Sequence, residues 1–313
     1  MTELDDLRLA HRRGRSNARW YGRRWVHVTR DEAVRSQYDP PEVAAGYADS
    51  YAGTGTGARY FHSRLHLIRE ALDSCKGGDL LDAGCGPGMM VTDLLDTRPG
   101  DFRITAVDRS ASMVAATTAR CPEQIRTGEV TALQGRVEAL PFPDDSFDVV
   151  LAMGVLEYAD APLALREMSR VTRPGGLVLA TMLNPTSPYR LTEWFLYWPF
   201  LRGLGLLERT FGVPEGRRHG VARTGIWAYT PHQLVELMAA AGLGAERVTY
   251  YDLTPLVPPF DRWWHGWVDR PARTVTHGPR KWTGTAYLVT ARQGLDVPES
   301  DRTPVWRPER QEP

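Results

Sequence analysis

Asp79-Leu80-Leu81-Asp82-Ala83-Gly84-Cys85-Gly86-Pro87-Gly88 is the stretch on which the fold turns. A short apolar run feeds into a glycine bend and then into a helix-forming segment, the pattern of a strand, turn and helix in a parallel sheet. Gly84 and Gly86 permit backbone angles closed to other residues and let the chain press against a ligand. The following helix presents its positive N-terminus to the same point. Alone, such a loop also fits a dinucleotide site or a purely structural turn. The dinucleotide pattern G-x-G-x-x-G requires glycine where this chain has Met89, whereas Gly84, Gly86 and Gly88 fill the shorter G-x-G-x-G.

Working outward, Ile104-Thr105-Ala106-Val107-Asp108 reads as the next strand and ends in an acidic residue. At that place a carboxylate accepts hydrogen bonds from both hydroxyls of a ribose, which implies an adenosine-containing cofactor. Asp108 is also a residue type that caps helices, although Ser110 is available for that task. Further strands are expected near 79–84, 103–108, 130–134, 147–153, 176–183, 246–251 and 284–290. Helices are expected at 87–97, 110–120, 160–172 and 231–241, the last starting at Thr230-Pro231 and stopping at Gly242. Upstream, Val43, Tyr47 and Tyr51 share one helical face and Leu65, Leu67, Ile68 and Leu72 another, so two helices separated by residues 53–57 precede the core.

These residues carry a resemblance. Asp82 to Gly88 resembles motif I of the class I S-adenosylmethionine-dependent methyltransferases, and Asp108 the acidic residue of their motif II. Gly135-Arg136-Val137-Glu138-Ala139-Leu140-Pro141-Phe142-Pro143-Asp144-Asp145-Ser146-Phe147-Asp148 resembles the adenine-side loop and fourth strand of the ubiquinone/menaquinone-biosynthesis-like (type 11) branch, and Arg173-Pro174-Gly175-Gly176 the turn before its fifth strand. The resemblance implies a Rossmann-like, doubly wound α/β fold with a seven-stranded sheet, N-terminal helices and an inserted cap. It also implies S-adenosylmethionine as cofactor, with S-adenosylhomocysteine as product. The implied cofactor set is Tyr47, Asp82, Ala83, Gly84, Cys85, Gly86 and Gly88 on one side, and Asp108, Arg109, Met113, Arg136, Val137, Glu138 and Met153 on the other. Arg136 stands where the branch usually has an acid, and arginine cannot accept from the adenine amine. Adenine recognition is therefore expected from backbone groups near Val137. Tyr38-Asp39 and the stretch from Tyr47 to Tyr51 resemble the N-terminal helix that closes over the methionine end of the cofactor.

Composition narrows the partners. Arginine plus lysine number 38 and the acids also 38, so no global field gathers nucleic acid or an anionic surface, and a nucleic-acid partner is not expected. Lysine occurs only at Lys76 and Lys281. Cys75, Cys85 and Cys121 are odd in number and lack metal-ligand spacing, so neither a disulfide framework nor a metal site is expected. Without an apolar leader or a membrane-spanning run, the expected location is the cytoplasm.

The domain reading is a basic arm over 1–37, a methyltransferase domain over 38–292 and a charged, Pro-rich tail over 293–313. Long connections at 184–230 and 252–283 break the rhythm and read as caps over a binding site. Within the first, Trp194-Phe195-Leu196-Tyr197-Trp198-Pro199-Phe200-Leu201 is too apolar for an open loop and too short to cross a bilayer. It reads as a lid on a greasy acceptor, as a dimer interface or as a membrane-surface contact; the arm, with Trp20 and Trp25 among its arginines, is a second candidate for homo-oligomer contacts. Candidate catalytic groups are Glu157, at the C-terminal end of a strand where open α/β sheets place ligands, together with His62, His219 and Tyr51; each also has an ordinary structural reading. The expected activity is methyl transfer to an oxygen, nitrogen or carbon nucleophile of a small, apolar or aromatic metabolite. The alternatives are a cyclase or decarboxylase that uses the cofactor structurally, or a non-enzymatic partner protein that binds it.

Overall fold

The computed structural model describes residues 17–21, 24–28, 34, 37–52, 56–213, 226–253, 276 and 278–294. Strands β1 (Asn17–Tyr21) and β2 (Arg24–Val28) form a separate hairpin in which Trp20 faces Trp25 across the register. Helices α1 (Pro41–Ala52) and α2 (Thr56–Leu72) follow, as their helical periodicity predicts. The α/β unit then runs β3 (Gly78–Ala83), α3 (Met89–Thr97), β4 (Phe102–Asp108), α4 (Ala111–Arg120), α5 (Pro122–Thr127), β5 (Val130–Gln134), β6 (Phe147–Ala152), α6 (Ala161–Val171) and β7 (Thr172–Leu183). After the first insertion come α9 (Pro231–Ala240), β8 (Leu243–Leu253) and β9 (Gly284–Gln293).

The strands form one seven-stranded sheet in the order β5-β4-β3-β6-β7-β9-β8. Pairing is parallel from β5 through β7, while β9 runs antiparallel to both β7 and β8. Consecutive residues of β3 point to opposite faces, so Leu80 joins one apolar layer and Leu81 and Ala83 the other. One layer packs α6 and α9 through Leu165, Met168, Leu234 and Met238. The other packs α2 and α3 through Ile68, Leu72, Met90 and Leu94. The result is a three-layer, doubly wound α/β fold, as the resemblance implied.

Three local features differ from the sequence expectation. Pro122 cannot continue α4, and it starts the separate turn α5 with a proline at its first position. The turn at Arg173–Gly176 is an excursion within β7: Phe147 pairs with Thr172 and Val149 with Leu177, and Gly175 turns at φ 75°. The first insertion is not a loop at its start, because α7 (Pro188–Thr192), a π-helical turn (Glu193–Tyr197) and α8 (Trp198–Thr210) run on as one helical segment capped by Ser187. Most of the second insertion lies outside the described residues.

Candidate functional site

Strand β3 has β4 on one side and β6 on the other, so the winding reverses there and the C-terminal strand ends splay apart. A cleft opens at that point. The amides of Gly84 and Cys85 both donate to the Val107 carbonyl, at 2.7 and 3.0 Å, which folds the glycine bend against the end of β4. A Cβ on Gly84 would lie 2.2 Å from Val155 Cγ2, and the residue sits at φ 91°. Gly86, at φ 54°, has nothing within 4 Å of where its Cβ would be, so that position opens into the cleft. Gly88 serves packing instead, since its Cβ would press within 2.9 Å of Thr117 on α4.

Asp108 closes β4 at the cleft wall. Its Oδ2 accepts from the Gly86 amide and its Oδ1 from the Ser110 amide, both at 2.9 Å. Ser110 rather than Asp108 caps α4, its hydroxyl accepting from the Met113 amide. Burial raises the Asp108 pKa, opposed by the amides of Ser110 and Gly86. Each oxygen has a second lone pair, so the carboxylate keeps acceptor capacity beyond these two amides.

The N-terminal segment covers the cleft. The Ser110 hydroxyl donates to the Tyr38 carbonyl and the Ser112 hydroxyl to that of Asp39, tying this segment to the start of α4. Val34, Tyr38 and Tyr47 thereby line the cleft. Tyr38 packs edge-on against Tyr158 with ring centroids 5.4 Å apart.

Beneath the cleft lies a buried charged group. Arg64 of α2 is only 2% exposed, with its guanidinium over the rings of Tyr60 and Phe61 at 5.3 and 5.1 Å. Gly154 leaves it space, for a Cβ there would lie 2.5 Å from Arg64 Nη1. Both oxygens of Asp82 are buried and have no hydrogen-bond donor among the described residues. Burial pushes the Asp82 pKa up to about 7, the Asp108 charge adds to the rise, and Arg64 opposes it. Glu157, just past β6, is likewise pushed up to about 7 by burial, against its backbone hydrogen bonds and the charges of Arg64 and Arg190. The Glu157 carbonyl accepts from the Trp227 amide at 2.8 Å, so the far end of the first insertion is pinned beside it.

Residues 81–180 match a methyltransferase domain family. The chain is 31% identical over 224 residues to demethylmenaquinone methyltransferase of Mycobacterium bovis, covering 69% of this chain and 89% of that one. The chain belongs to the class I S-adenosylmethionine-dependent methyltransferases. Its branch is the ubiquinone/menaquinone-biosynthesis-like one, and its cofactor is S-adenosylmethionine. It is also 32% identical over 211 residues to malonyl-[acyl-carrier protein] O-methyltransferase of Erwinia pyrifoliae, covering 62% of this chain and 75% of that one. Among solved structures, the [4+2]-cyclase SpnF superposes with a TM-score of 0.56 at 19% identity, over 86% of this chain and 98% of that one; this likeness concerns the fold.

Of the residues expected at the cofactor, this methyltransferase brings Tyr47, Gly84, Cys85, Gly86, Asp108, Arg109 and Met113 to the cleft, with Arg136, Val137, Glu138 and Met153 completing the wall. Arg136 is 54% exposed with its Nε 3.5 Å from Glu138, while Val137 is buried. Asp82, Ala83 and Gly88 lie behind the wall rather than in it. His62 is exposed and is not among the cleft-lining residues; it sits on the face of α2 away from Arg64, because the two residues stand nearly half a turn apart. His219 and the side chain of Tyr51 lie outside the described residues. Arg64, Val34 and Tyr158 were missed. For Arg64 a signal existed, since it falls on the same helical stripe as Tyr60, Leu67 and Ile68, where a charge needs a reason to be.

Proposed function

We propose that this methyltransferase methylates an oxygen, nitrogen or carbon nucleophile of a small, apolar or aromatic metabolite, within a catalytic domain spanning about residues 38–292. The cleft suits the cofactor by its donor set. Asp108 offers a carboxylate to the ribose, Val137 and Met113 offer an apolar slot to the adenine, and Arg64 offers a buried cation to the methionine carboxylate. The carboxyl of Asp82, buried without a donor behind that wall, adds a nearby negative charge that favours the ammonium group. Bound there, S-adenosylmethionine supplies a methyl carbon made electrophilic by its sulfonium.

Glu157 is the proposed base. The observation that carries this reading is its position: a buried carboxyl in the turn five residues past β6, with a pKa of about 7, between the cleft-lining Val155 and Tyr158 in the chain. A base poised near neutral pH is matched to removing a proton from a hydroxyl or an acidic carbon. Tyr38, Tyr47 and Tyr158 line the same end and exclude water from the transfer path.

The test is a two-step one. Calorimetry with S-adenosylmethionine checks the cofactor, and labelled cofactor with a panel of quinols, phenols and acyl carboxylates checks transfer. Glu157→Gln is expected to retain cofactor affinity and lose turnover. Equal turnover by the variant would remove Glu157 from the chemistry, and failure with every acceptor despite tight cofactor binding would argue against methyl transfer to this class.

A further inference from the structure

The helical segment that opens the first insertion turns its apolar side outward. Phe195, Leu196, Phe200, Leu206, Leu207 and Phe211 are 58 to 84% exposed, and nothing from Pro188 to Thr210 is buried. Soluble surfaces scatter such residues singly, whereas here they recur along one segment. Leu196, Phe200, Leu207 and Phe211 fall at intervals of four, seven and four residues, which places them on one stripe of a helix.

Charge selects the occupant. Over residues 188–213 the exposed charged side chains are Arg202 and Arg209, seven residues apart and therefore on a common stripe of their own, each two residues after Phe200 or Leu207 and so about 160° round the helix from the apolar one. The acids turn inward: Glu193 is 17% exposed and bonded to Arg190 at 2.6 Å, and Glu208 is half-buried. An apolar side set against a basic polar side, with no exposed acid, is the make-up of a helix that lies in a bilayer interface. A second copy fits it less well, because two-fold pairing of one face opposes it to itself and leaves this segment's cations without exposed acids to meet. No helix among the described residues is long and apolar enough to cross a membrane, so contact would be peripheral.

We propose that the segment from Leu191 to Phe211 docks on an anionic lipid surface, with Phe200 and Leu207 entering the acyl boundary and Arg202 and Arg209 at the headgroups. This assignment is independent of which acceptor is methylated.

The test is co-sedimentation of the full chain with vesicles of phosphatidylcholine alone and of phosphatidylcholine mixed with phosphatidylglycerol, at low and raised salt. The expected result is binding to the mixed vesicles, weakened by salt. Phe200→Glu with Leu207→Glu should lower partitioning by at least about ten-fold, with S-adenosylhomocysteine affinity unchanged. Arg202→Glu with Arg209→Glu should abolish the preference for phosphatidylglycerol. A wild-type chain that stays in the supernatant with both vesicles overturns the proposal, as does vesicle binding indifferent to these substitutions. A dimer in analytical ultracentrifugation that Phe200→Glu dissociates, without vesicle binding, would assign the face to a second copy instead.

Discussion

The amide of Gly86 donates to the carboxylate of Asp108 across 2.9 Å, joining the glycine bend after β3 to the acidic end of β4. Two features separated by 22 residues of sequence thus form one preorganised wall of the cofactor cleft.

Asp108→Ala removes the proposed ribose acceptor and frees the Gly86 amide. Hydrogen bonds to a charged acceptor contribute about 1.5–3 kcal/mol each, so cofactor affinity should fall on the order of a hundred-fold by calorimetry. Unaltered affinity would show that Asp108 serves only the bend.

Gly84→Ala and Gly86→Ala should part company. The first drives a methyl into Val155 at φ 91° and is expected to lower the unfolding midpoint strongly. The second meets only the left-handed backbone penalty of about 1–2 kcal/mol, because its Cβ site is open, yet the new methyl intrudes on the cleft. Gly86→Ala should therefore lose cofactor affinity out of proportion to stability, measured by urea unfolding beside calorimetry.

Asp82 and Glu157 make the ligand-free protein sensitive to rising pH. Both carboxyls have folded-state pKa values of about 7, above their ordinary 3.8 and 4.5. The folded state thus holds protons that the unfolded chain releases, so this contribution is fully present below about pH 4 and lost as pH rises through about 7. At 1.36 kcal/mol per unit it amounts to about 4 kcal/mol for Asp82 and about 3 kcal/mol for Glu157. Urea midpoints across that window should fall less steeply for Asp82→Asn and Glu157→Gln than for wild type. An ammonium group docking near Asp82 would favour its ionised form, so cofactor binding near pH 6 should release a proton, detectable in buffers of different ionisation enthalpy.

Thr230→Ala removes one half of a capping box, in which the Thr230 hydroxyl accepts from the Gln233 amide and the Gln233 side chain accepts from the Thr230 amide. The loss should be about 1 kcal/mol, read as a small drop in unfolding midpoint with cofactor affinity unchanged.

Much of the framework was legible because its signals are local. Short apolar runs, buried without a break, mark β3 and β6, Pro231 after Thr230 marks the start of α9, and the spacing of Gly84, Gly86 and Asp108 marks the cleft. Arg64 was overlooked among the other charged residues of α2, although its place on the stripe of Tyr60, Leu67 and Ile68 marks it as the one that turns inward. Tyr158 was missed for a related reason: its partner Tyr38 is 120 residues away in sequence. The aromatic content of the insertion leaves lid, dimer interface and membrane-surface contact open, because it does not encode the direction a helix faces.

The sequence by itself determined the order of strands and helices, the glycine bend and the acidic strand end, since each depends on backbone angles and side-chain period within a few residues. Only the tertiary structure decided that Arg64, Asp82 and Glu157 share one buried region and that Phe200 and Leu207 face outward. Burial and the electrostatic coupling of charges depend on which surfaces meet across the chain, and that is settled by packing rather than by local spacing.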